Sequence, residues 1–209
     1  MSDIFITSDT HFCHDKEFIV YRRGFENIHE HDSQMVDRWN EVVKPDDIVY
    51  HLGDIALDDI PQAAKWISYL NGTILLVSGN HDTQTKMNYF KNECPNLMAV
   101  NGVYNHSFAA MLKLNKINYY LSHYPTLTSN YDDQYFTQHI ISLHGHTHSP
   151  KTWEDANNPF LYNAAVDAHG GYPIHIDQIT ADIKRKWEML KKEQKIAEYE
   201  AIQRAESKR

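Results

Sequence analysis

Oxygen and nitrogen donors able to hold a divalent cation occur in five short blocks: Asp9-Thr10-His11, Gly53-Asp54, Gly79-Asn80-His81-Asp82, Ser122-His123-Tyr124-Pro125 and Gly145-His146-Thr147-His148. Carboxylates, imidazoles and one amide oxygen suit hard or borderline ions, and the absence of thiolates from every block argues against a structural zinc site. Two divalent ions about 3.5–4 Å apart that share an oxygen ligand can clamp a phosphoryl group, which is the chemistry such donors permit. Each block follows an apolar, β-branched run: Ile4–Thr7, Ile48–Tyr50, Ile74–Val77, Ile117–Leu121 and Ile140–Leu143. Five strands therefore deliver donors at their carboxyl ends, where open α/β sheets collect their sites.

The spacing inside the blocks has a geometric reading. Asp9 and His11, two residues apart at a strand end, point to the same side and form a usable chelate. His146 and His148 repeat that logic, with Gly145 letting the backbone turn tightly beside them. Gly53 and Gly79 do the same before Asp54 and Asn80.

The ordered set D-x-H, G-D, G-N-H-[DE], H and G-H-x-H resembles the signature of the calcineurin-like metallophosphoesterase superfamily. Ser8–Phe12, Trp39-Asn40, Val49–Asp54 and Asn163–Asp167 further resemble its compact bacterial and phage branch. The resemblance implies an α/β fold, an α/β/β/α sandwich of two mixed β-sheets flanked by helices. It implies two divalent ions: one on Asp9, His11 and His148, a second on Asn80, His123 and His146, and Asp54 bridging them. Mn²⁺ is the working choice in vitro, with Fe²⁺, Ni²⁺ or Zn²⁺ compatible with the donors. His81 is then the catalytic group beside the leaving group, since an imidazole titrates near working pH. Asp82 is expected either to orient it or to cap the helix beginning near Thr83. The implied reaction is one-step hydrolysis by a metal-bridging hydroxide, with Asn80 helping to neutralise the phosphoryl oxygens.

Other residues carry weaker signals. Arg23, in Tyr21-Arg-Arg-Gly-Phe25, is read as a phosphate clamp or, more simply, as half of a surface ion pair. His14, one short loop after the first ligands, is placed against substrate. His51 is expected to pack behind the ligands, and His144 to be buried without ligating. His29, His31, His106, His139, His169 and His175 are assigned to surfaces or loops. Trp39 and Asn40 read as core packing plus a buried polar contact.

The elements needed to hold these blocks alternate strand and helix up to about residue 100, then become strand-rich. Helices are expected at His31–Lys44 (capped by Asp32 or Ser33), Pro61–Leu70 and Thr85–Lys91. Strands are expected in Val103–Leu114 and Ile117–Leu121, turning at Asn115-Lys116, and at Ile140–Leu143, Leu161–Ala164 and Ile174–Ile176. Two stacked sheets with outer helices satisfy that pattern. Residues 1–180 are assigned to one metallophosphoesterase domain and 181–209 to a charged C-terminal helix, docked through Ile183, Trp187 and Leu190 and solvated beyond. A homodimer through that tail is the alternative role.

Composition sets the outer limits. The 209 residues carry a formal charge of −8. Lys184–Arg209 holds nine basic and five acidic residues, a net of +4 that leaves −12 on the rest. Such a chain does not grip long nucleic acid through phosphates. Asp58, Asp59, Asp132 and Asp133 are ordinary surface or the surroundings of a cation site. The early first strand and the lack of a long apolar run predict no leader and no membrane partner, and two scattered cysteines, Cys13 and Cys94, predict a cytoplasmic protein without disulfides. The G-D-x-x-D-R-G motif of the superfamily's protein phosphatases is absent. The favoured activity is a phosphodiesterase acting on a small phosphoester such as a cyclic nucleotide or short oligonucleotide. A phosphomonoesterase or nucleotide pyrophosphatase on the same centre, and a non-catalytic scaffold, are the alternatives.

Overall fold

The β-branched runs form strands, and their two-residue repeat sorts side chains into two separate cores. The computed structural model describes residues 2–102, 107–128 and 135–207. The first sheet holds β1 (Ile4–Thr7), β2 (Ile48–His51), β3 (Thr73–Leu76), β4 (Leu97–Ala99) and β9 (Ile174–His175) in the order β4-β3-β2-β1-β9. Its neighbours are parallel except β9, which runs against β1. The second sheet holds β5 (Ala109–Leu114), β6 (Ile117–Ser122), β7 (Ile140–His144) and β8 (Leu161–Asn163) in that order, with only the β5–β6 pair antiparallel.

A one-turn helix α1 (Glu17–Val20) follows the first ligand loop, and Phe5, Val49 and Ile74, aligned across β1–β3, bury against the helices α2 (Ile28–Val42), α3 (Ile60–Ser68) and α4 (Gln84–Glu93). Ile6, Leu52 and Val77 turn the other way and meet Tyr119, Leu121, Ile141, Leu143 and Tyr162 of the second sheet. Two mixed sheets flanked by helices result, as the sequence implies. A parallel bridge from Ser8 to Ala165 joins the sheets at the carboxyl ends of β1 and β8. The turn at Asn115 and Lys116 uses positive φ of 49° and 67°, which two-residue hairpins favour.

Local expectations hold in outline and fail at several boundaries. Helix α2 starts at Ile28, because Asn27 Oδ1 accepts from Glu30 N at 2.9 Å and the Glu30 carboxylate accepts from Glu26 N at 2.7 Å. Asp32 and Ser33 therefore lie inside α2 and cap nothing. Strand β4 escapes notice because three residues carry no readable period. The strand expected from Val103 begins at Ala109. Val103, His106, Asp132 and Asp133 lie outside the described residues. Trp39 Nε1 donates to Asn71 O at 2.9 Å, and Asn40 bonds Tyr69 O and Asn71 N at 2.8 Å, tying α2 to the end of α3.

Helix α5 (Ile176–Glu206) docks through Ile176, Ile179 and Ile183, with Tyr119 Oη 2.7 Å from Thr180 Oγ1, while Ile196, Tyr199 and Ile202 are exposed. Among the described residues no helix is long and apolar enough to cross a membrane.

Candidate metal centre

The ligand loops follow β1, β2, β3, β6 and β7, so both sheets contribute at one edge of the sandwich. Their backbone is strained. Asp9 (φ 60°), His11 (55°), Asp54 (55°), His146 (71°) and His148 (50°) all occupy the left-handed region. Each such residue costs on the order of 1–3 kcal/mol, and the conformation persists only where the surroundings impose it. Here the loops impose it on one another. Asp9 N donates to Gly53 O at 3.0 Å, His11 N to Asp54 O at 3.1 Å, Gly145 N to His123 O at 3.0 Å, and His146 N to Asp9 Oδ2 at 2.9 Å. Gly145 is obligatory for this packing: a Cβ there would sit 2.1 Å from both Asp9 Oδ2 and Ser8 Oγ.

Asp9, His11 and His148 converge as the sequence implies, their donor atoms lying within 4.8 Å of one another. Asp9 Oδ1 and His11 Nε2 are buried, lack a hydrogen-bond partner, and stand 3.7 Å apart. A buried carboxylate oxygen facing a buried ring nitrogen, neither bonded, fits a cation between them. Burial outweighs the charge of Asp9 and lowers the His11 pKa to about 4, which keeps its lone pair available. His148 Nδ1 donates to Asp167 Oδ2 at 3.1 Å, leaving Nε2 turned to Asp9 Oδ1 at 3.8 Å.

The second group gathers around His123. Its Nδ1 donates to Leu52 O at 2.8 Å, which orients Nε2 toward Asn80 Oδ1 at 2.9 Å, His146 Nδ1 at 3.2 Å and Asp54 Oδ2 at 3.3 Å. Burial lowers the His123 pKa, but the bond to Asp54 and the charges of Asp9 and Asp54 outweigh it and raise it to about 9. Asp54 Oδ2 also lies 3.9 Å from His11 Nε2, so this carboxylate stands between the two groups.

His81 presents a ring 41% exposed at the mouth, its backbone N–H anchored on Asp54 Oδ1 at 2.8 Å. Asp82 neither pairs with that ring nor caps α4. Its carboxylate accepts from Asp54 N at 2.7 Å, Gly79 N at 2.8 Å and Ile55 N at 3.3 Å, bracing the loops beneath Asp54. Burial and the charge of Asp54 raise its pKa to about 6.

Arg23 is a buried brace, not a surface pair or a clamp over the mouth. Nε and Nη2 grip both Asp167 oxygens at 3.0 and 2.8 Å, and the remaining donors reach Asp9 O, Thr10 O and His31 Nε2. His14 is 5% exposed and its Nδ1 lies 3.0 Å from His11 Nδ1. A cation on His11 Nε2 would place the His11 proton on Nδ1, where it would donate to His14 and fix the ligand's tautomer. His31, assigned to the surface, is fully buried because Asp32 at 2.8 Å and Arg23 at 2.9 Å supply its partners. His51 packs behind the site on Thr10 Oγ1 at 3.0 Å, and buried His144 donates to Gly145 O. Asp167 is the functional residue not singled out from sequence, although the Asn163–Asp167 segment contains it. Burial raises its pKa, yet His148 and Arg23 prevail and hold it at about 2.

This donor set, ordered along five strand ends and closed over unbonded buried atoms, has a counterpart. Residues 3–165 match the calcineurin-like phosphoesterase superfamily domain. The chain belongs to that superfamily. The gene 66 protein of Mycobacterium phage L5 is 32% identical over 187 residues, 81% of this chain and 89% of that protein. An uncharacterized Methanocaldococcus jannaschii protein is 39% identical over 84 residues, and the chain spans about half of it (48%). A solved Aquifex aeolicus protein of unknown function shares the fold, with a TM-score of 0.62 at 22% identity over 87% of this chain and 99% of that one. Membership supports a metal-dependent phosphoesterase, and Asp9, His11, His148, Asp54 and His123 are the candidate ligands for divalent ions.

Proposed function

We propose that the protein is a phosphodiesterase with a dinuclear centre, cleaving a small diester. Asp9, His11 and His148 would hold one ion, and Asn80, His123 and His146 the other. The observation that carries this reading is Asp54: one carboxylate oxygen lies 3.9 Å from His11 Nε2 and 3.3 Å from His123 Nε2, within reach of both ligand groups. When bound, the ions activate water and withdraw charge from the phosphoryl group, a role Mn²⁺ can fill in vitro.

The chain's own residues supply orientation and proton management. The His81 ring, exposed beside the buried ligands, is free to give a proton to the departing alkoxide. Asp54 holds the His81 amide and Asp82 holds the Gly79 amide two residues before it, so the backbone carrying the ring is fixed through bonds that leave the ring nitrogens free. Asn80 adds a neutral oxygen, which keeps the centre cationic toward an anionic ester. The buried free thiols of Cys13 and Cys94 fit a cytoplasmic setting. The acidic surface fits a small substrate in place of long nucleic acid, and the exposed tail of α5 is the segment through which a homodimer would form.

The test is hydrolysis of bis-para-nitrophenyl phosphate against the mono-ester, after chelation and return of Mn²⁺. Metal-restored diester cleavage that falls at least ~10²-fold in His81→Ala and in Asp54→Asn supports the reading. Faster mono-ester turnover would replace it with a monoesterase, and two bound ions with no turnover of either ester would favour a scaffold.

A further inference from the structure

On the far side of His148 from Asp9 lies a cavity of about 260 Å³, walled by Arg22, Arg38, Phe25, Met35, Val166 and Gly171. One imidazole thus belongs both to the ligand group and to this cavity. The wall is built around a cation. Gly170 (φ 62°) and Gly171 (φ 88°) curl against Arg38, and a Cβ on Gly171 would stand 2.8 Å from Arg38 Nη1 and 2.9 Å from Met35 Cε. Arg38 Nη1 donates to Gly170 O at 2.9 Å, and its guanidinium carbon lies 5.3 Å from the Phe25 ring centre. These contacts fix the stem and leave further N–H groups unassigned.

Arg22 enters from the other side. Among the described residues its side chain makes no hydrogen bond or ion pair, and it also borders a groove with Glu17, Phe18 and Tyr21, where Glu17 makes no ion pair with it. The carboxylate in the wall, Asp167, is already gripped at both oxygens by Arg23. Two guanidinium groups that form no ion pair among the described residues therefore face a cavity beside the candidate metal centre of a protein whose net charge is −8. Planar guanidinium forks match phosphate oxygens. Next to them Phe18 is 41% exposed and stands edge-on to His148 at 5.4 Å and to His14 at 5.5 Å, a surface on which a nucleobase can stack.

We propose that the cavity between Arg22 and Arg38 receives a terminal phosphate of the substrate, so that the diester cleaved at the neighbouring centre belongs to a phosphorylated short nucleotide chain. This rests on the phosphodiesterase reading and narrows it to substrates with a second anionic group.

The experiment compares thymidylyl-thymidine with and without a 5′-phosphate, in Mn²⁺, on the wild-type protein, Arg22→Gln and Arg38→Gln. The expected result is a kcat/KM at least about tenfold higher for the phosphorylated dinucleotide, a preference that Arg22→Gln reduces severalfold while cleavage of the unphosphorylated one is unchanged. Arg22 is exposed and unbonded, so its variant folds even if Arg38→Gln does not. Titration of the same pair into Mn²⁺-loaded His81→Ala protein reads the cavity without turnover, with about tenfold tighter binding of the phosphorylated form that the added Arg22→Gln removes. Equal treatment of the two dinucleotides, or a preference that survives the arginine changes, overturns the subsite. Preferential binding with no cleavage of any diester overturns the phosphodiesterase reading alone.

Discussion

The two halves of the ligand set are built to different standards. Asp9 and His11 are fully buried, and each ligand of their group leans on a second residue: His11 on His14, His148 on Asp167, and Asp167 with the Asp9 backbone on Arg23. The other half is anchored mainly through His123 on Leu52 O. Asn80 is exposed, and among the described residues the His146 ring bonds only His123 and rests on Tyr124, itself 47% exposed, at 4.7 Å. Partners that orient a ligand ring add substantially to metal affinity. The comparison teaches that the Asp9 side is preorganised and the His146 side is not, so that, on the dinuclear reading proposed above, one ion should be held more tightly than the other.

The largest expected effect erases the difference between the halves. Gly145→Ala would push a methyl group onto Asp9 Oδ2 and Ser8 Oγ, each 2.1 Å from where the new Cβ would lie, and Asp9 belongs to both donor clusters. Activity should fall by roughly 10²-fold or more, as misplacement by an ångström does elsewhere. Both ions should be lost together in metal analysis. Retention of either ion would mean that the Gly145 turn, where His146 N donates to Asp9 Oδ2, does not tie the two halves together.

A smaller effect should separate them. Asp167→Asn removes the carboxylate that fixes His148 and leaves Arg23 short of its bidentate partner, so the tighter ion should weaken by about 10- to 100-fold. Tyr124→Ala on the other side should change that ion's affinity little. Competition with a chelating dye, read as two binding steps, checks the pair. Equal losses from the two variants would remove the asymmetry.

Acidity sharpens the same contrast, because the two halves hold protons differently. The His11 pKa is lowered to about 4, whereas that of His123 is raised to about 9. Without metal, a proton on His123 occupies the space between carboxylates. Its contribution to stability is complete below its ordinary value near 6.5 and is lost as pH rises through about 9. Metal binding must displace that proton, so affinity on the His123 side should climb over the same range, whereas His11 carries no proton to displace there and its side should climb less. Thermal melts and metal titrations from pH 6 to 9 check both trends, and parallel slopes for the two ions would contradict the assignment.

Legibility from sequence follows the same division between local and distant causes. The ligand blocks were readable because their chemistry is carried by adjacent residues, and the strands because β-branched runs precede them. The pairing of Arg23 with Asp167 was not, since it joins positions 144 residues apart: Arg23 stood out only as a clamp or a surface pair, and Asp167 looks like an ordinary charge in its own segment. Asp82 misled for a related reason: its neighbour in sequence is His81, but its partners are the amides of Gly79, Asp54 and Ile55. The start of α2 was missed because Asp32 looks like a cap, whereas its carboxylate accepts from Cys13 N at 3.0 Å and binds α2 to the first ligand loop.

The smallest effect is expected farthest from the centre. The helix α5 buries Ile176, Ile179 and Ile183, and every described residue after Lys191 is exposed. A helical extension of that kind gains little from packing, and ends of chains fray unless docked. Ending the chain after Lys191 should therefore leave the melting temperature within about 2 °C and diester turnover unchanged. A drop of both that deepens on dilution would instead show that Ile196, Tyr199 and Ile202 meet a second copy of the chain, and that the site depends on a partner neither half reveals.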